Sequence, residues 1–178
     1  MIVFDLETTG LPKAEGSDLD LQPRIIEFGA IRFTDGTFEE YDRLEFMCNP
    51  GHELDPKITK ITGITDEDLK DKKPFVAHYK DLCKFFLGEG SMAAHNLPFD
   101  RKILRFELER LDKVTKFPWP MDHICTVEVG QSVWGKMRKL GDIYEEIMGK
   151  KIEGAHRSLN DVEATIEIIK WYKKEGHI

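Results

Sequence analysis

The chain has 178 residues, of which 40% are hydrophobic and 33% are charged, and 26 Lys and Arg against 33 Asp and Glu give a net charge of −7. That length favours a single domain, spanning residues 1–178, with an ordinary core. No apolar run approaches the ~20 residues of a membrane-spanning helix, and the first residues lack the basic and apolar regions of a secretory signal. The negative charge argues against a domain that holds nucleic acid mainly by basic wrapping. It does not exclude a nucleic-acid enzyme, because an acidic site filled with divalent cations is locally positive.

The cysteines indicate a reducing compartment. Cys48, Cys83 and Cys125 are odd in number and widely spaced. This spacing fits neither a disulfide framework nor a CxxC zinc site. We therefore expect reduced thiols, a cytoplasmic location and no membrane association.

The first third of the chain is predicted to form three strands. Residues 1–7 are a short apolar run that alternates at its end, and residues 8–23 lack an apolar pattern and are predicted as a loop. Residues 24–33 and 37–47 are rich in strand-forming residues, with Asp35-Gly36 between them, which is a strong hairpin signal. We expect the three strands to be antiparallel neighbours.

The remainder alternates between helices and short strands. Apolar spacing and capping residues predict helices at 55–61, 65–68, 74–87, 98–111, 140–148 and 158–172, and short strands at 91–95 and 121–125. Strands followed by alternating helices and strands predict an α/β layer fold, a mixed central sheet flanked by helices.

Two acids end the first strand. Asp5 and Glu7 point to the same face because strand side chains alternate, while Leu6 points into the opposite layer. Two carboxylates roughly 7 Å apart on an apolar strand are costly unless a cation neutralises them. The alternative is a strand end that reaches solvent.

Two further acids begin helices. Asp100 falls in the first turn of the helix opened by Asn96 and Pro98, where an acid also favours the helix dipole. Asp161 follows His156 by five residues, which on one helix would place them about 140° apart. A helix that begins after His156 lets this histidine fold over the helix end beside Asp161. The alternative is a surface histidine and an ordinary N-terminal acid.

Together these residues suggest metal-assisted chemistry. Each of the four acids ends or begins an element, where α/β sites tend to be built. Carboxylates are hard oxygen ligands suited to Mg²⁺ or Mn²⁺. Three or four of them can hold two ions ~3.5–4 Å apart, an arrangement used for phosphodiester cleavage. His156 has the chemistry of a base that takes the proton of the attacking water.

Three segments of the chain resemble the exonuclease motifs of the DEDD superfamily. They read FDLETTG at 4–10, HNLPFD at 95–100 and HRSLND at 156–161, in the family order. A sister subgroup carries tyrosine four residues before the last acid, where this chain has Arg157. The resemblance is therefore to the histidine subgroup: epsilon-type proofreading exonucleases, RNase T and oligoribonuclease. It implies a ribonuclease H-like fold.

The resemblance also implies roles for individual residues. Asp5, Glu7 and Asp161 match the metal-binding acids, Asp100 completes the site, and His156 matches the general base. Thr8 matches a contact to the 3′-terminal nucleotide, and Asn96 and Phe99 match positions lining the pocket for it. Thr62 stands where the family commonly has a histidine. It is either a substrate contact or a loop residue capping a short helix.

The implied activity is that of a 3′→5′ exonuclease with two divalent cations, Mg²⁺ or Mn²⁺. It would act on the 3′ end of single-stranded or frayed nucleic acid, DNA being favoured and RNA possible, and release nucleoside 5′-monophosphates. A DNA polymerase or another replication protein is a possible partner. The alternative is a catalytically inactive nucleic-acid-binding or polymerase-associated module on the same fold.

Overall fold

Five strands form one sheet with the order β3-β2-β1-β4-β5 in the computed structural model, which describes residues 1–178. The strands are β1 (Ile2–Thr8), β2 (Ile25–Phe33), β3 (Glu40–Met47), β4 (Ser91–Ala94) and β5 (Asp122–Cys125). β1, β2 and β3 pair antiparallel, whereas β4 is parallel to β1 and β5 is parallel to β4. The mixed sheet and its three antiparallel N-terminal strands confirm the prediction.

Seven α-helices accompany the sheet. They are α1 (Pro56–Thr62), α2 (Asp66–Leu69), α3 (Tyr79–Phe86), α4 (Leu97–Arg110), α5 (Thr126–Trp134), α6 (Leu140–Met148) and α7 (Ser158–Lys174). Single 3₁₀ turns occur at Leu19–Leu21, Phe75–Ala77 and Val114–Lys116. None of the helices combines the length and the apolar character that a membrane crossing requires.

The two faces of β1 pack against different helices. Ile2, Phe4 and Leu6 belong to the larger apolar cluster, together with side chains of α3 and α4. Val3 lies on the other face, in a cluster with apolar side chains of α7. Strand alternation therefore puts both acids of β1 on the face opposite Leu6, as predicted, and the structure shows that α7 covers this face.

A glycine lets α7 lie directly on β2. A Cβ atom on Gly29 would stand 2.6 Å from Ser158 Oγ and 2.7 Å from the backbone nitrogen of Leu159. Ser158 is completely buried at this contact. Since Gly29 pairs with Asp5 in the sheet, the contact brings the N-terminal end of α7 next to the acids of β1.

Two predicted boundaries are wrong. The hairpin after β2 is longer than Asp35-Gly36, because Phe38 turns back with φ 56° and stacks on Phe33 at 5.1 Å. The helix predicted at 74–87 is divided into a 3₁₀ turn and α3, and His78 at the junction stacks on Phe46 at 4.2 Å.

The sequence did not indicate α5. Its β-branched residues and Gly130 are weak helix formers, so local propensity does not predict a helix here. In the structure Gly130 lies so close to α7 that a Cβ atom would stand 2.7 Å from Tyr172 Oη. Trp134 stacks on Trp171 at 5.7 Å. Tertiary packing therefore outweighs local propensity here.

Candidate active site

The acids of β1 lie in the part of this strand that extends beyond its parallel neighbour β4. β1 pairs with β4 only at Ile2 and Val3, so Asp5 and Glu7 stand beyond the end of that pairing. α4 begins just after β4 and supplies Asp100 in its first turn, and α7 supplies Asp161 in its own. All four acids line one cleft of about 620 Å³, as expected for a site at the carboxyl ends of parallel strands.

The pKa values of all four carboxyl groups are raised in the cleft. Burial raises the pKa of Asp5 well above its usual range, and the carboxylates of Asp100, Asp161 and Glu7 raise it further. Burial also raises the pKa of Glu7 to about 8, and Asp161 adds to this. The pKa values of Asp100 and Asp161 are likewise raised by burial, although backbone hydrogen bonds oppose the effect. The cleft therefore favours any species that supplies positive charge.

His156 folds back over the start of α7. Its backbone adopts φ 65°, a left-handed conformation in which histidine is one of the less rare residues. Its backbone N–H donates to Asp161 Oδ2 at 3.2 Å. One ligand atom each from Glu7, His156 and Asp161 lie within 4.8 Å of one another. This is the arrangement predicted for a helix that begins after His156.

The donor set fits a divalent cation. Asp161 Oδ1 is buried and has no hydrogen-bond partner, which is costly for a carboxylate oxygen unless a cation or water reaches it. Glu7 and Asp161 offer hard oxygen ligands beside the imidazole of His156. A cation here would relieve both the unpaired oxygen and the mutual repulsion of the acids.

Asn96 and Phe99 reach the same cleft. Asn96 precedes α4 with φ 71°, and its side chain makes no capping hydrogen bond. This leaves an exposed amide at the cleft rim, while Phe99 is half-buried beside it. The structure thus places both predicted pocket residues next to Asp100.

Thr8 and Thr62 do not line the cleft. Thr8 is buried and its hydroxyl donates to the carbonyl oxygen of Gly10 at 2.8 Å. The buried hydroxyl of Thr62 donates to the carbonyl oxygen of Ile58 at 3.0 Å and accepts from the N–H of Ile64 at 3.1 Å. For Thr62 these bonds match the helix-capping alternative. Substrate contacts from either residue stay a prediction.

Glu27 is a fully buried acid on β2 that none of the sequence motifs contains. Its carboxylate accepts from Arg157 Nε at 2.9 Å and from a terminal Arg157 nitrogen at 2.6 Å. The other oxygen accepts from the N–H of Ser158 at 2.8 Å. Glu27 therefore fixes the segment between His156 and α7. A lone acid inside the apolar run RIIEFGAIRF was the signal that could have revealed it.

His95 ties a second loop to the cleft. Its Nε2 lies 3.1 Å from the carbonyl oxygen of Arg138 and its Nδ1 lies 2.8 Å from Thr126 Oγ1. Burial lowers the pKa of His95 to about 4, so the ring is neutral at pH 7. Because a carbonyl only accepts, Nε2–H donates to it and Nδ1 accepts from Thr126. His95 belongs to the motif HNLPFD, but the motif alone does not indicate this role.

Comparison with known proteins decides the family. Residues 2–169 match the profile of the RNase_T family, described as exonuclease. The chain belongs to this exonuclease family. With the acids at 5, 7, 100 and 161 and the histidine at 156, its motifs are those of the predicted histidine subgroup. The fold is ribonuclease H-like, as expected.

Relatives and solved structures extend the comparison. The DNA polymerase III PolC-type of Clostridium perfringens is 29% identical over 175 residues, which are 98% of this chain but 11% of that polymerase. The nuclease domain of 3′hExo, a DEDDh family member bound to rAMP, superposes with a TM-score of 0.77 at 20% identity, covering 98% of this chain and 92% of that one. E. coli Exonuclease I in complex with a dA16 oligonucleotide superposes with a TM-score of 0.75 at 21% identity, and the match covers 97% of this chain and 40% of that one. The chain thus spans about a tenth of the PolC-type polymerases.

Proposed function

We propose that residues 1–178 form one exonuclease domain that removes nucleotides from the 3′ end of a nucleic-acid strand. The observation that carries this proposal is the convergence of Asp5, Glu7, Asp100, His156 and Asp161 on one cleft from three separate parts of the chain. A domain that only bound nucleic acid would have no chemical reason to gather four mutually repelling acids in one partly buried cleft.

The four acids are proposed to hold two divalent cations, Mg²⁺ or Mn²⁺. Two such ions lower the pKa of an attacking water and stabilise the leaving oxygen. Glu7 and Asp161 have ligand atoms close enough to share one ion. Asp5 and Asp100 add the further negative charge that a second ion requires.

His156 is proposed to act as the general base. Its side chain is exposed at the cleft, so its imidazole can take a proton from the attacking water and pass it to solvent. The hydrogen bond between its backbone N–H and Asp161 fixes the backbone of His156 beside the acids. The phosphodiester then breaks to leave a 3′-hydroxyl on the shortened strand and a nucleoside 5′-monophosphate as product.

The 3′ end is proposed to enter between Asn96 and Phe99. The Asn96 amide can hydrogen-bond the terminal nucleotide, and the Phe99 ring offers a face for sugar or base stacking. Both residues flank the first turn of α4, beside Asp100. A strand with no free end would not fit this arrangement.

DNA is the favoured substrate. The similarity to PolC-type polymerases and to an exonuclease solved with dA16 supports DNA, whereas 3′hExo, solved with rAMP, keeps RNA as the second candidate. The same relatives support a DNA polymerase or replication protein as partner. They also support a cytoplasmic location, which agrees with three unpaired cysteines.

End polarity tests this proposal. A single strand labelled at its 5′ end should give a descending ladder with Mg²⁺ or Mn²⁺, and a 3′-phosphate should slow its degradation. Closed circular single strands should survive. Cutting of the circles, or a ladder that starts from the 5′ end, would contradict a 3′→5′ exonuclease.

A further inference from the structure

We propose that a groove on the outer side of α4 binds the phosphodiester backbone of the substrate a few nucleotides from the scissile bond. The inference rests on the proposed function and assigns a second contact surface for the same substrate. The groove, here called the α4 groove, has a volume of about 990 Å³. It lies between α4, the loop of residues 13–22 and residues 114–119.

The α4 groove shares a wall with the catalytic cleft. Phe99 and Asp100 line the cleft, whereas Pro98, Arg101 and Lys102 line the groove. One helix therefore separates the two. At ~1.5 Å per residue, the α4 residues that line the groove lie within roughly 14 Å along the axis from Asp100. A strand whose 3′ end occupies the cleft therefore passes within reach of the groove.

Cations dominate the α4 groove in a chain that is acidic overall. Four cationic side chains line it against two acids, and they are Lys13, Arg101, Lys102 and Arg105 against Glu15 and Glu109. Arg105 already pairs with Glu109 at 2.8 Å. Lys13 and Lys102 are exposed and form no ion pair, so both ammonium groups are free for an anion.

Aromatic rings support two of these cations. The Arg101 guanidinium lies over the Trp119 ring at 5.4 Å, and the Lys102 ammonium lies 5.9 Å from the centre of the Phe106 ring. Such contacts hold a long side chain in place without neutralising its charge. The groove thus presents positioned positive charge, which suits a phosphate backbone better than a base edge.

The opposite wall of the α4 groove is held in place by α4 itself. The Arg110 guanidinium donates to the carbonyl oxygens of Leu19 at 2.7 Å and Gln22 at 2.8 Å. The N–H of Lys13 donates to Gln22 Oε1 at 3.0 Å. The loop that carries Lys13 is therefore anchored before any ligand arrives, which lowers the entropic cost of binding.

Two substrates of different length test the proposal. The p-nitrophenyl ester of thymidine 5′-monophosphate fills only the catalytic cleft, whereas a 20-nucleotide single strand also reaches the α4 groove. The double variant Lys13→Ala/Lys102→Ala should cleave the ester as the unaltered protein does. Its KM for the 20-mer should rise about tenfold or more at low salt. Lys80→Ala/Lys84→Ala, on the exposed face of α3, is the matched control. It should change neither the cleavage of the ester nor the KM for the 20-mer.

Salt dependence gives an independent readout. Each phosphate contact to a single strand contributes about −0.7 to the slope of log K against log salt. Loss of two contacts should therefore make the slope for the 20-mer shallower by about 1.4. A duplex with a few unpaired 3′ nucleotides should show the same increase in KM, whereas an effect confined to the duplex would contradict a contact with the strand that is cleaved.

Binding separates failure of the inference from failure of the proposed function. Fluorescence anisotropy of labelled 20-mer and duplex in chelator requires no catalysis. If the unaltered protein cleaves nothing, the proposed function fails, but a tenfold weaker binding by Lys13→Ala/Lys102→Ala still supports the α4 groove. Unchanged KM, slope and affinity for both nucleic acids would overturn the inference and leave the groove to another anion, such as an acidic protein segment.

Discussion

At the scale of single residues, His156 and Glu7 separate the roles of base and metal ligand. Both lie beside Asp161, but only His156 is an exposed side chain on a loop. His156 is proposed to move a proton, whereas Glu7 is proposed to balance cationic charge. The two roles give different expectations for turnover and for stability.

Substitution of His156 should affect turnover and spare the fold. His156→Ala should lower kcat by about 10²–10⁴-fold, the range for a positioned base. The melting temperature and the binding of Mn²⁺ should change little, since the side chain is exposed and the acids remain. Steady-state kinetics, thermal melting and calorimetry measure these three quantities. A variant with lower stability but unaltered kcat would make His156 a structural residue instead.

Substitution of Glu7 should change how stability depends on pH without metal. Burial raises the pKa of Glu7 from 4.5 to about 8, so the folded protein keeps a proton that the unfolded chain releases. The free energy of unfolding in chelator should therefore fall as pH rises from about 4.5 to about 8.

Glu7→Gln should prevent part of this decrease in unfolding free energy at high pH. The variant should melt higher than the unaltered protein at pH 8 in chelator, by several degrees for a gain of about 2 kcal/mol. The two proteins should converge near pH 4.5. Thermal melting from pH 4 to pH 9 measures this. Parallel curves for the two proteins would contradict the raised pKa of Glu7.

At the scale of elements, two residues of β2 fix the start of α7. Glu27 accepts hydrogen bonds from Arg157 and Ser158, and Gly29 allows the direct contact with Ser158. Neither residue takes part in the proposed reaction. Both position the helix end that carries His156 and Asp161.

Glu27→Gln should weaken this attachment. An amide cannot accept from all three N–H donors with the strength of a carboxylate, so we expect a loss of about 1–3 kcal/mol in unfolding free energy. We also expect kcat to fall about tenfold because His156 loses its fixed position. Urea unfolding and steady-state kinetics check both. Glu163→Gln, on the exposed side of α7, is the control, and an equally small effect of both variants would contradict the positioning role.

Gly29→Ala should displace the end of α7. The added Cβ would meet backbone and side-chain atoms at 2.6 to 2.8 Å, and overpacking of this kind costs about 1–3 kcal/mol. Thermal melting and kcat should both decrease. Gly90→Ala is the matched control, because a Cβ there meets nothing within 4 Å. Unaltered activity in Gly29→Ala would show that α7 tolerates the shift.

At the scale of the whole molecule, local patterns predicted the sheet and the convergence of the acids. The alternation of β1, the proline at the start of α4 and the start of α7 depend on residues near in sequence. The helix α5, the role of Glu27 and the α4 groove depend on partners far away. Gly130 meets Tyr172 only in the folded chain, and Arg101 meets Trp119 only there. Periodicity alone carries no information about such contacts.

Positive and negative charge are also concentrated in different parts of the molecule. The net charge of −7 includes the acids buried in the cleft, while the α4 groove presents mainly cations. Divalent ions in the cleft would invert its sign. The two neighbouring surfaces would then both attract phosphate, although the protein as a whole is acidic.

The most direct test of this account is the metal dependence of cleavage. A 5′-labelled 20-nucleotide single strand is incubated with the unaltered protein and with Asp161→Asn, in EDTA and after addition of excess Mg²⁺ or Mn²⁺. We predict a 3′→5′ ladder only for the unaltered protein with added cation, and a rate at least 10²-fold lower for Asp161→Asn. Full cleavage by the unaltered protein in EDTA, or by Asp161→Asn with Mg²⁺, would contradict a catalytic centre built on these acids.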